Sequence, residues 1–163
     1  IRVHGKGEMK YDNVRIGLNS RLDTLQAAIL SIKLKAFADY ELRDINAVAV
    51  KYTEQLADLQ DKIKLPVIPE GYYSSWAQYT IQLEDKETRD KLQAELKEAS
   101  IPSMVYYPKP MHKQEAFAGN AYDDAEFPNT IKLCDTVLSL PMHPYLTDEE
   151  IKEVTDKVKQ ILK

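Results

Sequence analysis

The segment from residue 18 to residue 65 contains neither glycine nor proline, and its apolar side chains recur mainly at steps of three and four. That spacing is typical of a helix with one apolar side. An unbroken helix of ~40 residues would be ~60 Å long, whereas a compact domain of this size has a radius of gyration of ~15 Å. We therefore predict a bend or break between Phe37 and Asp44, or a first half that packs on something outside this chain.

The start of this helix is predicted at Ser20, because a serine N-cap with Asp23 three residues later is a variant of the capping box. Asn19 and Arg21 would then lie near the positive end of the helix dipole. That position suits an anion such as a phosphate or a carboxylate. The same residues also suit an ordinary capped surface helix, so this pattern leaves both interpretations open.

The rest of the chain alternates short strands and helices after a predicted linker at residues 66–75. Strands are predicted at residues 78–83, 101–106 and 136–140, and helices at residues 85–99, 127–135 and 147–162. This order predicts an α+β fold with two parts. A long N-terminal helical arm, residues 1–45, precedes a small C-terminal domain, residues 46–163, in which helices cover one face of an antiparallel three-stranded sheet.

Local signals predict details of these elements. Asp85 is the predicted N-cap of the helix at residues 85–99, with Thr88 as the alternative, and Thr147 with Glu150 at N3 caps the last helix. In the first strand, apolar residues such as Tyr79 and Ile81 alternate with polar ones, which predicts that one face of the strand is buried.

A long loop is predicted between Tyr107 and Glu126, and loops longer than about 12 to 15 residues are usually functional or disordered. Tyr106 and Tyr107 stand at its start, followed by two prolines that stiffen the turn. A rigid tyrosine pair can stack on a ring and donate hydrogen bonds to a diphosphate. The alternative is a pair of aromatic side chains in an interface.

Composition and charge exclude several classes of protein. The formal charge of −4 provides no basic field, so nucleic acid is not a predicted partner. No apolar run of about 18 residues is present, so no membrane span is predicted. The single cysteine, Cys134, fits a reducing compartment such as the cytoplasm and is predicted to be a small buried residue on a helix. The three histidines are far apart, which predicts no metal site.

Three segments carry a resemblance to a known family. They are G-L-N-S-R-L-D-T-L-Q-A-A-I-L at residues 17–30, Y-Y-P-K-P-M-H-K-Q at residues 106–114 and L-S-L-P-M-H-P-Y-L at residues 138–146, with R-V-H-G at residues 2–5 before them. In this order they resemble the DegT/StrS family of pyridoxal-phosphate-dependent nucleotide-sugar aminotransferases. Within that family the chain is similar to enzymes that aminate UDP-linked keto-sugars of bacterial surface polysaccharides, of the 3-oxo-acetamido-glucuronate type.

The resemblance implies that the chain is one part of a dimeric enzyme of fold type I. Its share would be the small domain, and a large N-terminal domain, a second subunit, a UDP-sugar and glutamate would be its partners. Motifs for the Schiff-base lysine, for the aspartate on the pyridine nitrogen and for the ring stacked on the cofactor are not found in these 163 residues. We therefore expect the C-terminal portion of such an enzyme, with no catalytic residue of its own and no activity alone.

The resemblance also assigns site residues. Asn19 is expected to reach the phosphate of the partner's pyridoxal 5'-phosphate, and Arg21 to contact that phosphate or an acidic sugar. The expected substrate contacts, besides Arg21, are His4, Tyr106, Tyr107, His112 and Gln114. Each of these residues also has a structural interpretation, as a cap, an interface contact or part of a solvated loop.

A non-catalytic role is the alternative: a domain that binds a nucleotide-sugar or mediates assembly. The two hypotheses differ in whether a lysine-bearing segment precedes residue 1 in the native protein.

Overall fold

The computed structural model describes residues 7–8, 14, 16–18, 20, 22–117, 119 and 122–163. The chain divides into two compact units, Ile1–Glu41 and Leu42–Lys163. The predicted boundary between residues 45 and 46 stays a prediction. Among the described residues, no helix combines the length and the apolar content needed to cross a membrane.

The first unit contains helix α1, Thr24–Ala36, followed by a π-helical turn, Phe37–Glu41. Asp23 is the N-cap, and its side chain accepts a hydrogen bond from the Gln26 backbone at 3.1 Å. The predicted start at Ser20 is therefore wrong. Aspartate caps a helix as well as serine does, and its charge also favours the positive end of the helix dipole.

The π-helical turn lies inside the region where a bend or break was predicted. In a π-helix the backbone departs from the regular i to i−4 hydrogen bonding, so the helical pattern is interrupted at this point. The Lys33 Nζ and Glu41 Oε1 atoms form an ion pair at 2.9 Å within the first unit.

Apolar side chains of the first unit are exposed to solvent. Leu22, Leu25, Ile29 and Ile32, which we call the α1 stripe, are each more than half exposed, and α1 contains no buried residue among those described. A contiguous apolar surface of this kind is typical of an interaction site.

The second unit is an α+β layer. Its helices are α2, Leu42–Gln55, α3, Lys86–Glu98, α4, Pro128–Thr136, and α5, Asp148–Leu162. Its strands are β1, Tyr79–Gln82, and β2, Val137–Leu140. Helix α5 packs on α2 and α3, and α3 also contacts α4 and β2. The predicted helices at residues 85–99, 127–135 and 147–162 and two of the predicted strands are thus confirmed, with ends that differ by one or two residues. The helical pattern that was predicted up to residue 65 ends earlier, because α2 ends at Gln55.

Strands β1 and β2 pair antiparallel, with Tyr79 opposite Leu140 and Gln82 opposite Val137. The predicted alternation in β1 is confirmed, because Tyr79 and Ile81 are buried between less buried neighbours. The core of the unit lies under this sheet. It includes the aromatic side chains Tyr52, Trp76 and Tyr79, the leucines Leu92 and Leu96, and the α5 residues Ile151, Val154 and Val158.

The predicted three-stranded sheet is wrong for the described residues: the sheet has two strands. The segment 101–106 contributes one bridge, between Met104 and Ser139. The Ile101 N–H donates instead to the Leu96 carbonyl at the end of α3. Pro102 has no N–H to donate, so the segment cannot form a continuous ladder with β2.

The caps of α3 and α5 are those that the sequence predicts. Asp85 accepts from the Thr88 backbone at 2.8 Å. At the other end of α3, Ser100 has φ of 61°, and its N–H donates to the Lys97 carbonyl at 3.0 Å. Together with the Ile101 to Leu96 bond this is a Schellman turn, which reverses the chain towards Met104.

Helix α5 begins with a complete capping box. The Thr147 hydroxyl accepts from the Glu150 N–H at 3.2 Å, and the Glu150 carboxylate accepts from the Thr147 N–H at 2.8 Å. The capping box fixes the first turn of α5, whose residues belong to the core. Its loss should therefore lower the free energy of unfolding of the unit.

We predict that Thr147→Ala lowers the free energy of unfolding by about 1 kcal/mol, because the Glu150 N–H loses its partner. Urea denaturation measures this change. Thr130→Ala, at an exposed position of α4, is the matched control and should change stability by less than about 0.5 kcal/mol. Equal losses in the two variants would contradict the role of the cap.

Candidate functional site

The tyrosine pair at the start of the long loop is exposed and ordered by its neighbours. Tyr106 is 43% and Tyr107 is 71% exposed. Their rings meet edge to face with centroids 5.9 Å apart, and the peptide bond between them is cis. Two residues earlier, Met104 is held to β2 by two backbone hydrogen bonds with Ser139, of 3.1 and 2.8 Å. The pair therefore projects from the edge of the sheet.

A cavity of about 250 Å³ lies beside Tyr106. Its lining residues are Ala77, Gln78, Pro102, Ser103, Met104, Tyr106, Ser139, Leu140, Pro141 and Met142. The Ser103 hydroxyl is buried and has no hydrogen-bond partner among the described residues. The Ser139 hydroxyl is paired with that of Thr80 at 2.8 Å. The cavity thus offers hydroxyl groups and apolar walls, and its lining carries no charged side chain.

His112 lies in a short 3-10 turn, Met111–Lys113, and its side chain is only 8% exposed. The Nε2 atom is 3.0 Å from Asp124 Oδ1. The imidazole ring stacks on Phe127 with centroids 4.8 Å apart and an interplanar angle of 26°. Because Nε2 is already engaged, a substrate contact by His112 would have to use Nδ1 or the ring face opposite Phe127.

Asp124 also binds the neighbouring lysine. Lys113 Nζ donates to Asp124 Oδ2 at 2.5 Å, so each carboxylate oxygen has its own partner. The hydrogen bond from Lys113, and after it that from His112, holds the pKa of the Asp124 carboxyl below its ordinary value. Gln114 is engaged within the same loop, since its Nε2 donates to the Lys109 carbonyl at 3.3 Å.

The structure brings together some of the predicted site residues. Tyr106 and Tyr107 contact each other, and His112 and Gln114 lie in the same loop with different partners. His4, Asn19 and Arg21 lie outside the described residues, so their predicted contacts stay predictions.

Three residues of this region were not singled out from the sequence: Ser103, Asp124 and Phe127. The opposite charges of Lys113 and Asp124 are 11 positions apart in a loop. Periodicity has no meaning in a loop, so no pattern in the sequence pairs these side chains.

Cys134 lies on α4, as predicted, and is half-buried, whereas a buried position was predicted. Burial raises the pKa of its thiol, with the nearby Asp135 charge adding to the effect. A raised pKa reduces the thiolate fraction and makes the group a poor nucleophile. In the described part of the chain, no group of three His, Cys, Asp or Glu side chains is arranged to hold a metal ion.

Comparison with known proteins identifies the family of this chain. Residues 1–159 match the DegT/DnrJ/EryC1/StrS aminotransferase family. The chain belongs to this family. The resemblance read from the three sequence segments is therefore confirmed.

Two curated relatives illustrate the range within this family. The chain is 42% identical over 152 residues to the UDP-2-acetamido-2-deoxy-3-oxo-D-glucuronate aminotransferase of Pseudomonas aeruginosa, covering 93% of this chain and 40% of that protein. It is 41% identical over 159 residues to a pleiotropic regulatory protein of Geobacillus stearothermophilus, covering 97% of this chain and 41% of that protein. The chain spans about two fifths of the length of both relatives.

A solved structure has the same fold over nearly the whole chain. DesV of S. venezuelae, in complex with a ketimine intermediate, superposes with a TM-score of 0.87 at 33% identity, over 98% of this chain and 41% of that protein. DesV therefore shares the fold described above over the superposed residues.

Proposed function

We propose that these residues are the C-terminal portion of a pyridoxal-phosphate-dependent aminotransferase. The complete enzyme would transfer an amino group, normally from glutamate, to a UDP-linked keto-sugar for bacterial surface polysaccharide. The observation that carries this proposal is the family match over residues 1–159, together with 42% identity to an enzyme that aminates a UDP-linked 3-oxo-glucuronate. The single cysteine is consistent with a cytoplasmic location.

The loop described above supports a role in substrate recognition. The Tyr106 and Tyr107 rings are exposed at a fixed point of the sheet edge and offer two phenol hydroxyls to a diphosphate or a sugar. Lys113 Nζ adds a positive charge to the same loop, although Asp124 partly offsets it. A rigid platform of this kind can orient a large anionic substrate without ordering many side chains.

The described residues do not form a complete site for pyridoxal phosphate. The aldehyde of this cofactor needs a lysine and its phosphate needs donors or positive charge, whereas the cavity beside Tyr106 is lined by uncharged residues. The expected phosphate contacts, Asn19 and Arg21, lie outside the described residues. We propose that further polypeptide supplies the lysine and the pocket.

A non-catalytic role is a second candidate. It is favoured by the 41% identity to a protein named as a pleiotropic regulator, which covers this chain as fully as the enzyme relative does. In that case the loop would bind a nucleotide-sugar without converting it.

The proposal predicts that these 163 residues alone neither transaminate nor bind pyridoxal phosphate covalently at one lysine, because the Schiff-base segment is not among them. Borohydride reduction followed by peptide mapping tests this. A single lysine labelled in stoichiometric amount would overturn the proposal. The complete protein should label at one lysine outside these residues, and a complete protein that labels nowhere would favour the non-catalytic role.

We predict that Tyr107→Phe and His112→Ala in the complete enzyme weaken the nucleotide-sugar half-reaction and leave the amino-donor half-reaction nearly intact. A hydrogen bond lost to a charged diphosphate costs about 1.5 to 3 kcal/mol, or roughly 10- to 150-fold in affinity. Stopped-flow absorbance of the cofactor separates the two half-reactions. Tyr72→Phe removes the same hydroxyl at an exposed site outside the loop and is the control. Equal damage to both half-reactions would contradict the assignment.

We also propose that the α1 stripe is covered by a second subunit or by the large domain of the complete enzyme. Burial of each leucine or isoleucine would contribute roughly 1.5 to 3 kcal/mol. The 163 residues alone should therefore self-associate in sedimentation velocity, and Leu25→Glu with Ile32→Glu should shift the distribution towards monomer. Gln26→Glu, on the same helix, is the control. A wild-type monomer with strong hydrogen-exchange protection from Leu22 to Phe37 would sink this proposal.

A further inference from the structure

Two short turns of the long loop face each other. The first is Met111–Lys113, and the second is Asp124–Glu126. Each is closed by its own backbone hydrogen bonds, such as Lys113 N–H to the Pro110 carbonyl at 3.1 Å and Phe127 N–H to the Asp124 carbonyl at 3.0 Å. The contacts between the turns are made by side chains.

Asp124 makes the polar contacts between these turns. Its Oδ1 atom is 3.0 Å from His112 Nε2, and its Oδ2 atom is 2.5 Å from Lys113 Nζ. The neighbouring acidic residues have a different task. Asp123 accepts from the Ala125 N–H at 2.9 Å, and Glu126 accepts from the Asp123 N–H at 3.3 Å. Those two carboxylates stabilise their own turn, so Asp124 is the one that reaches across.

Aromatic packing adds a second link between the first turn and the start of α4. Phe127 stacks on His112 and is also the N-cap residue of α4, which leads directly into β2. Tyr122 meets Phe127 edge to face at 5.9 Å. The His112 ring is therefore fixed by Asp124 at one edge and by Phe127 on one face, and both partners stand at the start of α4.

We propose that Asp124 is a positioning residue, which holds the turn Met111–Lys113 against the start of α4 and thereby fixes His112 and Lys113 for recognition of the nucleotide-sugar. The ordering of the loop does not depend on the proposed function, whereas the effect on the nucleotide-sugar rests on it. Asp124 itself need not touch the substrate.

Asp124→Asn in the complete protein tests the ordering. The amide keeps the size of the side chain but loses the charge that binds Lys113. Hydrogen exchange of residues 109–117 should become faster by about three- to tenfold, because two contacts are weakened at an exposed site. Exchange in α3 and α5 should not change. Glu115→Gln, which removes the same charge from an exposed position of the same loop, is the control and should leave exchange unaltered.

Steady-state kinetics of the same variants test the positioning. Asp124→Asn should raise KM for the nucleotide-sugar by about three- to tenfold with kcat nearly unchanged, because the variant weakens binding of the substrate and not the chemical step. Absorbance of the cofactor should show an unchanged amino-donor half-reaction. Asp124→Glu, which restores the charge, should recover most of the KM, a result that a general loss of folding would not produce.

The outcomes separate this proposal from the proposed function. Unchanged loop exchange in Asp124→Asn would overturn the ordering, whatever the activity. Faster exchange with an unchanged KM, or with equal losses in both half-reactions, would overturn the positioning of the substrate. If the wild-type protein converts no nucleotide-sugar, the proposed function fails, and the ordering is then decided by exchange alone.

Discussion

The antiparallel pairing of β1 with β2 is the interaction on which the second unit depends. Each strand has four residues, and an isolated pair of this size is at best marginally stable in water. Here α3 contacts β2, and the buried strand residues Tyr79, Ile81 and Leu138 belong to the same core as residues of α3 and α5. The strands and these helices therefore stabilise each other.

The long loop of the candidate site is held in place through strand β2. Met104 bridges to Ser139 in β2, which fixes the chain just before Tyr106 and Tyr107. Helix α4 ends where β2 begins, which fixes Phe127 at the far end of the loop. The two ends of the long loop are about 20 residues apart in sequence. One end follows the bridge from Met104 to β2, and the other leads into α4, which continues directly into β2. A loop anchored in this way needs few internal contacts to be ordered, and Asp124 provides two of them.

Local chemistry explains which elements could be predicted from the sequence. Caps such as Asp85 and Thr147 act within three residues, and the alternation of Tyr79 and Ile81 reports which face of a strand is buried, so these features were found. The prediction of a third strand was wrong. Ile101 and Pro102 form an apolar pair that is typical of a strand, but the Ile101 N–H donates to the Leu96 carbonyl at the end of α3. The contacts of Asp124 were missed because they join residues in a loop, where no period links the partners. The family resemblance identified the loop and its tyrosines as a candidate site, but it did not indicate which contacts hold the loop in place.

Helices α1 and α2 differ in a way that periodicity cannot foresee. Both have apolar side chains at helical spacing, yet Val48, Ala49 and Tyr52 of α2 are buried, whereas the α1 stripe is exposed. The period of a pattern shows which side of a helix is apolar and not which polypeptide covers it. The apolar side of α2 is covered in part by α5 of the same unit, whereas the side chains of the α1 stripe have no such cover among the described residues.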